Sequence, residues 1–128
     1  MRPTNLVWLG IGPPNVYWFP LTSGQISTDA GSIPANDLTT VSGITFHVYY
    51  PGTSLTTAVA PDATWSGVIQ AATAPSGSLP STMMAYHAFA TPDCQLVGNY
   101  KIVGVLAVPG GTWECFARTL IVQPEQNT

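Results

Sequence analysis

An alternating run of apolar and polar residues at positions 44–50 constrains the fold more than any other stretch of this chain. Strict alternation places every second side chain on one face of a β-strand, and the β-branched and aromatic residues of the run suit such a strand. Pro51 and Gly52 follow at once and end it, because proline cannot donate to a ladder and Pro-Gly is a turn signal. The run therefore predicts an antiparallel strand whose apolar inner face consists of Ile44, Phe46, Val48 and Tyr50.

A second pair of strands is predicted around Gly110-Gly111. Strand-like runs cover residues 98–108 and 113–122 on either side of these glycines. A Gly-Gly loop tolerates the positive φ angles of the turns that hairpins prefer. With these two glycines as the loop, the predicted cross-strand partners are Val108 with Trp113, Leu106 with Cys115 and Ile102 with Thr119.

The rest of the chain consists of short apolar runs that 12 glycines and 12 prolines separate. Residues 5–9, 16–19, 54–59 and 64–70 are candidate short strands, and Pro20 is expected to end the second of them. Residues 81–89 favour a strand, and a short helix is the alternative because Met and Ala favour helices. Many short strands with turn signals between them predict an all-β fold, either a sandwich or a small barrel.

The first 36 residues are more broken than the rest and carry a large aromatic load, namely Trp8, Tyr17, Trp18 and Phe19. Two interpretations stay open. These side chains cap the core of their own chain, or they form an interface through which an arm packs on a neighbouring subunit, because aromatic anchors dominate interfaces. The predicted division of the chain is an N-terminal arm and loop at residues 1–36, a β-sandwich at residues 37–123 and a disordered tail at residues 124–128.

Charge is scarce, with 3 basic and 6 acidic residues and a net charge of −3. Phosphate contacts need clustered Lys and Arg, so this charge argues against nucleic-acid binding and no nucleic-acid partner is expected. No apolar run reaches the roughly 18 residues of a membrane span, so no membrane is expected, and the N-terminus has no signal-peptide pattern. Because an isolated protein normally needs a charged surface to stay soluble, we expect neighbours to cover much of this one, as in a homo-oligomer.

Motifs for catalysis or for metal and cofactor binding are missing from the sequence. His47 and His87 could meet an aspartate, but no H-x-x-x-H or C-x-x-C spacing supports a metal site. No G-x-S-x-G nucleophile elbow is present either. Cys94 and Cys115 are expected to be reduced, buried thiols. The sequence thus predicts a non-enzyme with no catalytic, metal or cofactor-binding residues and no cofactor.

Residues 37–53, DLTTVSGITFHVYYPGT, resemble the opening of an immunoglobulin-like domain common in tailed-phage structural proteins, such as the N-terminal domain of phage baseplate upper proteins. In that family a D-L-T-G run leads into a V-x-F-x-V strand and a P-x-G turn. An acidic turn, a G-x-Y strand and a hairpin come later, in the order of Asp93, residues 98–100 and Gly110-Gly111. The resemblance covers roughly residues 36–123. Three extra residues before the strand, and the lack of a spacer in Pro51-Gly52, depart from the pattern.

The resemblance implies an immunoglobulin-like antiparallel β-sandwich, here with an extended N-terminal arm, in a non-enzymatic structural protein of a tailed-phage virion. It would assemble in multiple copies through apolar and strand-edge contacts, in the tail, baseplate or neck, with other virion proteins as partners. One alternative is a capsid decoration protein on the head shell. Another is a carbohydrate- or receptor-binding module that stacks sugars on Tyr49, Tyr50, Trp65 and Trp113. Immunoglobulin-like sandwiches often contain a tyrosine corner, for which Tyr100 is the candidate, with its hydroxyl bonded to the backbone of the 93–98 turn.

Overall fold

The computed structural model describes residues 6–22, 26, 37–52 and 60–124, and within these ranges the chain forms nine β-strands. The strands are β1 Leu6–Trp8, β2 Val16–Thr22, β3 Gly43–Tyr49, β4 Ala63–Ser66, β5 Val68–Thr73, β6 Thr82–Ala88, β7 Gly98–Val108, β8 Gly111–Glu114 and β9 Arg118–Gln123. Two short 3₁₀ turns, Leu38–Thr40 and Thr91–Asp93, are the helical elements of these ranges. The all-β prediction is confirmed.

The strands form two sheets. The large sheet has the order β1-β9-β7-β3-β4, and β8 also pairs with β7; the small sheet has the order β2-β6-β5. Neighbouring strands are antiparallel except for β1 and β9, which run parallel. The predicted strand at residues 81–89 is therefore the central strand of the small sheet, and the helical alternative for it is wrong.

One apolar core lies between the two sheets. The strand predicted from the alternating run is β3, and its side chains Ile44, Phe46 and Val48 are buried. Tyr50 follows the end of the strand and is half-buried. The largest fully buried side chains come from both sheets and from the connecting segments: Tyr100, Phe19, Phe46, Phe89, Leu21, Leu38, Ile102, Leu106, Leu120, Val48, Val122 and Cys94.

The predicted N-terminal arm is wrong for residues 6–22, because both strands of this segment belong to the sheets. β2 pairs with β6 over its whole length, and β1 pairs with β9. A boundary at residue 36 would therefore separate two strands from the core that they help to form. The candidate strand at residues 54–59 and residues 125–128 of the predicted tail lie outside the described residues.

The hairpin of β7 and β8 turns at Pro109-Gly110, so the predicted register is wrong by two residues. Val108 pairs with Gly111 and Leu106 with Trp113. Proline followed by a glycine with φ +87° is the residue preference of a type II turn, which leaves Gly111 free to begin β8. An extra residue between β8 and β9 then shifts the pairing again, so that Ile102 faces Arg118 and not Thr119.

The candidate strand at residues 64–70 is in fact two strands in different sheets, divided at Gly67. β4 pairs with β3 in the large sheet, and β5 pairs with β6 in the small sheet. The Gly67 amide donates to the Ile44 carbonyl at 3.1 Å. A Cβ at this position would lie 2.7 Å from Cγ2 of Ile44 and 2.8 Å from Cε2 of Phe46. Only glycine therefore lets the chain cross so closely over β3 from one sheet to the other.

Candidate functional site

The four aromatic residues of the predicted interface do not lie together. Tyr17 and Phe19 point into the core, with exposed fractions of 4% and 0%. Trp18 points to the opposite side of β2 and is 40% exposed. Trp8 is half-buried on β1, in the other sheet. The core interpretation thus describes Tyr17 and Phe19, and Trp18 is the residue of this group that an outside partner could contact most fully.

The outer side of the small sheet, where Trp18 lies, is built from three rows of side chains that cross β2, β6 and β5. The first row is Trp18, Tyr86 and Val68; the second is Pro20, Met84 and Ala71; the third is Thr22, Thr82 and Thr73. We call these nine residues the small-sheet face. The register that pairs them follows from the alternation of β6, which turns Met83, Ala85 and His87 inward and Met84 and Tyr86 outward.

The small-sheet face carries no Asp, Glu, Lys or Arg. The three strands read VYWFPLT, VIQAAT and TMMAYHA, and their one histidine, His87, is buried. The charged residues of the described ranges lie in the large sheet or in connecting segments: Asp37, Asp62, Asp93, Lys101, Glu114 and Arg118. The large sheet, by contrast, carries Lys101 and Glu114 at strand positions of its own.

The small-sheet face is uneven in shape as well as largely apolar. The rings of Trp18 and Tyr86 lie side by side with their centroids 5.3 Å apart and their planes at 55°. Val68 completes this row and is 49% exposed. Beside the aromatic row lies an open groove of about 410 Å³, which is lined by the second and third rows together with Leu21, Ala72 and Met83 between them. Contiguous exposed apolar surface of this kind marks interaction sites on soluble proteins.

Both edges of the small sheet are protected against pairing with a further strand. Pro20 lies within β2 and has no N–H, and its carbonyl already accepts a hydrogen bond from Nη2 of Arg118 at 2.6 Å. In β5 the register shifts between Ile69 and Ala71, which leaves Gln70 as a bulge. Prolines and bulges are two devices that prevent edge-to-edge association. The face is therefore a better candidate contact than the edges of the small sheet.

Arg118 connects the two sheets beside β2. Its guanidinium carbon lies 3.9 Å from the centroid of the Phe19 ring, in a cation–π contact, while the same group donates to Pro20. Burial lowers the pKa of Arg118, and neighbouring Tyr17 and Cys115 act in the opposite direction. Sequence reasoning missed this residue, because the bulge before β9 turns it inward and no local pattern indicates that bulge.

His87 and Asp93 are brought together, but as a buried structural contact. His87 Nδ1 lies 2.7 Å from the Ser66 carbonyl, and its Nε2 lies 2.7 Å from Oδ2 of Asp93. The imidazole stacks on Trp65 with 4.7 Å between centroids and an interplanar angle of 9°. Within the described ranges no group of three or more His, Cys, Asp and Glu could hold a metal ion. His87 therefore joins β4 to β6 and to the 3₁₀ turn at Thr91–Asp93.

Tyr100 lies near the start of β7 with its ring 1% exposed. Its hydroxyl accepts a hydrogen bond from the Leu96 amide at 3.0 Å, which ties β7 to the turn before it. The two cysteines, Cys94 and Cys115, are both free and buried. Burial raises the pKa of each thiol to about 12, so neither offers a reactive thiolate near neutral pH.

The four aromatic residues suggested for sugar stacking are not a common exposed platform. Trp65 and Tyr49 are buried, with exposed fractions of 3% and 8%. Tyr50 and Trp113 are half-buried, and the ring of Tyr50 packs against Tyr100 at 5.7 Å. A sugar ring would therefore have no access to the faces of the first two residues.

No family model matches this chain, and neither a curated protein nor a solved structure matches it. In the part of the chain that the structure describes, no helix is long and apolar enough to cross a membrane. Fold and site together define a class, namely an all-β protein of two sheets with an uncharged, largely apolar sheet face. Its function has to be inferred from its own residues.

Proposed function

We propose that this chain is an immunoglobulin-like β-sandwich and a non-enzymatic structural protein of a tailed-phage virion, assembled in multiple copies in the tail, baseplate or neck. The observation that carries the proposal is the small-sheet face, which is free of Asp, Glu, Lys and Arg on a chain already poor in charge. A face of this kind is stable when a partner covers it. Other virion proteins and further copies of the chain are the expected partners.

Strand order supports the immunoglobulin-like part of the proposal. In a variable-type immunoglobulin domain the strands G, F, C and C′ are neighbours in one sheet, and B, E and D are neighbours in the other. The order β9-β7-β3-β4 corresponds to the first set and the order β2-β6-β5 to the second. In antibody domains a cysteine follows two residues after the corner tyrosine. Ile102 stands there after Tyr100 and is fully buried, so apolar packing replaces the disulfide.

A packing role also agrees with what the polar groups do. The His87–Asp93 pair and Arg118 make contacts within the fold, and the two thiols are buried. Binding through the small-sheet face would gain about 25 cal/mol for each Å² of apolar surface removed from water. In a symmetric assembly the same modest contact is repeated in every copy. Later contacts form between subunits that are already held close together, so their effective concentration is high. Contact through the two edges of the small sheet is disfavoured by Pro20 and the Gln70 bulge.

Quantitative mass spectrometry of purified particles tests the proposal. We expect the chain at a fixed copy number well above one per particle, and it should persist after a high-salt wash because the contact is apolar. Immunogold labelling then separates the tail, baseplate or neck from the head shell, where a capsid decoration protein would lie. Particles that assemble fully and lack the chain would contradict a virion role.

A receptor-binding role has one specific observation in its favour, the exposed pair of Trp18 and Tyr86. Aromatic rings on a sheet face can stack on sugars as well as on protein side chains. A glycan titration that follows tryptophan fluorescence distinguishes the two, with Trp18→Phe as the variant that removes the exposed indole. A saturable shift that this variant abolishes would favour the carbohydrate-binding alternative over the structural role.

A further inference from the structure

We infer that the small-sheet face is covered by the same face of a second copy of this chain, packed across a twofold axis that runs along the middle row Pro20–Met84–Ala71. The inference deepens the proposed function and rests on its assumption that the chain assembles through this face. It names the partner and the relative orientation of the two copies.

Charge favours a second copy as the partner. Each copy carries a net charge of −3, so two copies repel each other unless they meet where their charges are absent. The small-sheet face meets that condition, because its nine side chains are uncharged, and Arg118 reaches the small sheet at its β2 edge, where it bonds to the Pro20 carbonyl. A strongly charged partner would lose hydration at this face and find no opposite charge there. An identical neutral face has no charged group whose hydration would be lost.

Under this twofold symmetry, the shape of the small-sheet face on one copy complements that of the same face on the other copy. Rotation about an axis along the middle row exchanges the two outer rows, so the aromatic row of one copy lies opposite the threonine row of the other. The groove of about 410 Å³ lies between the second and third rows, where Trp18 of the second copy would enter. The middle rows meet each other, and the flexible side chain of Met84 adapts to such a contact. Two twisted sheets pack face to face in this manner at about 10 Å.

The size of the face sets the strength of the pairing. Three adjacent strands of up to seven residues cover a flat footprint of about 340 Å², from a strand spacing of about 4.8 Å and a rise of about 3.4 Å. Partners in a stable complex each bury about 800 Å². We therefore expect weak dimerisation in dilute solution. The high effective concentration inside an assembly would shift the equilibrium to the dimer.

A charge-swap experiment at Met84 tests the pairing by sedimentation equilibrium of the full chain over a range of concentrations. Met84 is only half-buried and points outward, so Met84→Glu and Met84→Lys should fold, which near-ultraviolet circular dichroism checks. Each variant alone places like charges opposite each other at the axis, and its dimer should be about 100-fold weaker than that of the unchanged chain. An equimolar mixture of the two variants should restore pairing. Thr45→Glu, at an exposed position of the large sheet, is the matched control and should pair normally.

Cross-linking tests the orientation. A chain with both Trp18→Cys and Thr22→Cys should form a disulfide between copies, because the axis sets these positions opposite each other, whereas the native thiols are buried. A chain that stays monomeric at the highest attainable concentration, or a mixture of Met84 variants that fails to pair, overturns the inference even if particles contain the chain. Pairing in solution by a chain that particles lack supports the inference and removes the virion role.

Discussion

At the scale of single residues, Tyr100 combines a buried ring with a hydroxyl that accepts the Leu96 amide at 3.0 Å. Tyr100→Phe keeps the ring and removes the acceptor, so the free energy of unfolding should fall by about 1 kcal/mol. Urea unfolding at neutral pH measures the change. Tyr86→Phe is the matched control, because this ring lies half-exposed on the small-sheet face, and its effect should stay within about 0.5 kcal/mol. Equal effects of the two changes would mean that the Leu96 bond contributes nothing.

Buried acidic groups make the fold sensitive to alkali. Burial raises the pKa of Cys115 and of Tyr17 to about 12 each, and it raises that of Cys94 as well. In the unfolded chain thiols lose their protons near pH 8.5 and tyrosines near pH 10. Below about pH 8 these groups are neutral in both states and stability does not depend on them. Between about pH 9 and 12 only the unfolded chain gives up the protons, so stability should fall as pH rises.

The expected decline is up to about 1.4 kcal/mol per pH unit for each group that ionises only in the unfolded chain. Urea unfolding at a series of pH values between about 7 and 11 measures it. Cys115→Ala should have a lower stability near neutral pH and a shallower decline above about pH 9, because one of the titrating groups is gone. A decline as steep as that of the unchanged chain would show that the Cys115 thiol ionises equally well in the folded state.

At the scale of elements, the sequence predicts best where one strand is read alone. The alternation in residues 44–50 predicts which side chains of β3 are buried, and the alternation in residues 81–89 does the same for β6. The sequence predicts the pairing of two segments less well. The register of β7 and β8 depends on which two of Pro109, Gly110 and Gly111 form the turn. β2 was missed as a full strand because Pro20 looks like a terminator. On an edge, however, a proline interrupts no ladder.

Gly67 shows how one residue sets the path between elements. Gly67→Ala should destabilise the fold by about 1–3 kcal/mol, because the added Cβ meets the buried side chains of Ile44 and Phe46 at 2.7 and 2.8 Å. Gly43→Ala is the matched control, since nothing lies within 4 Å of a Cβ there. Thermal unfolding of both variants measures the difference. Equal midpoints for the two variants would mean that β3 yields easily and that the crossing does not require glycine.

At the scale of the whole molecule, the candidate site is the part that sequence patterns predict least. Trp18 was among the predicted interface residues, but its neighbours on the small-sheet face, Tyr86 and Val68, are 68 and 50 positions away along the chain. Only the pairing of β2, β6 and β5 brings them into one row. The low charge of the chain predicted a covered surface without saying where it lies. The sheet order makes the small-sheet face the candidate, because all the described charged residues lie outside the small sheet.

Truncation tests whether the N-terminal segment is part of the fold or an appendage. β2 contributes Tyr17, Phe19 and Leu21 to the core, and burying each such side chain is worth about 1.5–3 kcal/mol. Their sum is comparable with the whole stability of a domain, about 5–15 kcal/mol. Removal of residues 1–22 should therefore abolish cooperative unfolding in urea. Of the described residues, removal of residues 1–9 takes away β1 with its three pairs with β9, the Leu9–Gln123 hydrogen bond and one buried side chain, Val7, so a cooperative transition should remain with a lower midpoint.

The two truncations also decide how a loss of assembly is to be understood. If removal of residues 1–22 left a cooperative fold with an almost unchanged midpoint, the segment would be an arm after all and Trp18 could anchor it on a neighbour. If the fold is lost, failure of the truncated chain to enter particles says nothing about an interface, because the small-sheet face has lost one of its three strands. Contact through this face can then be tested only by changes that leave β2 paired, such as those at Met84.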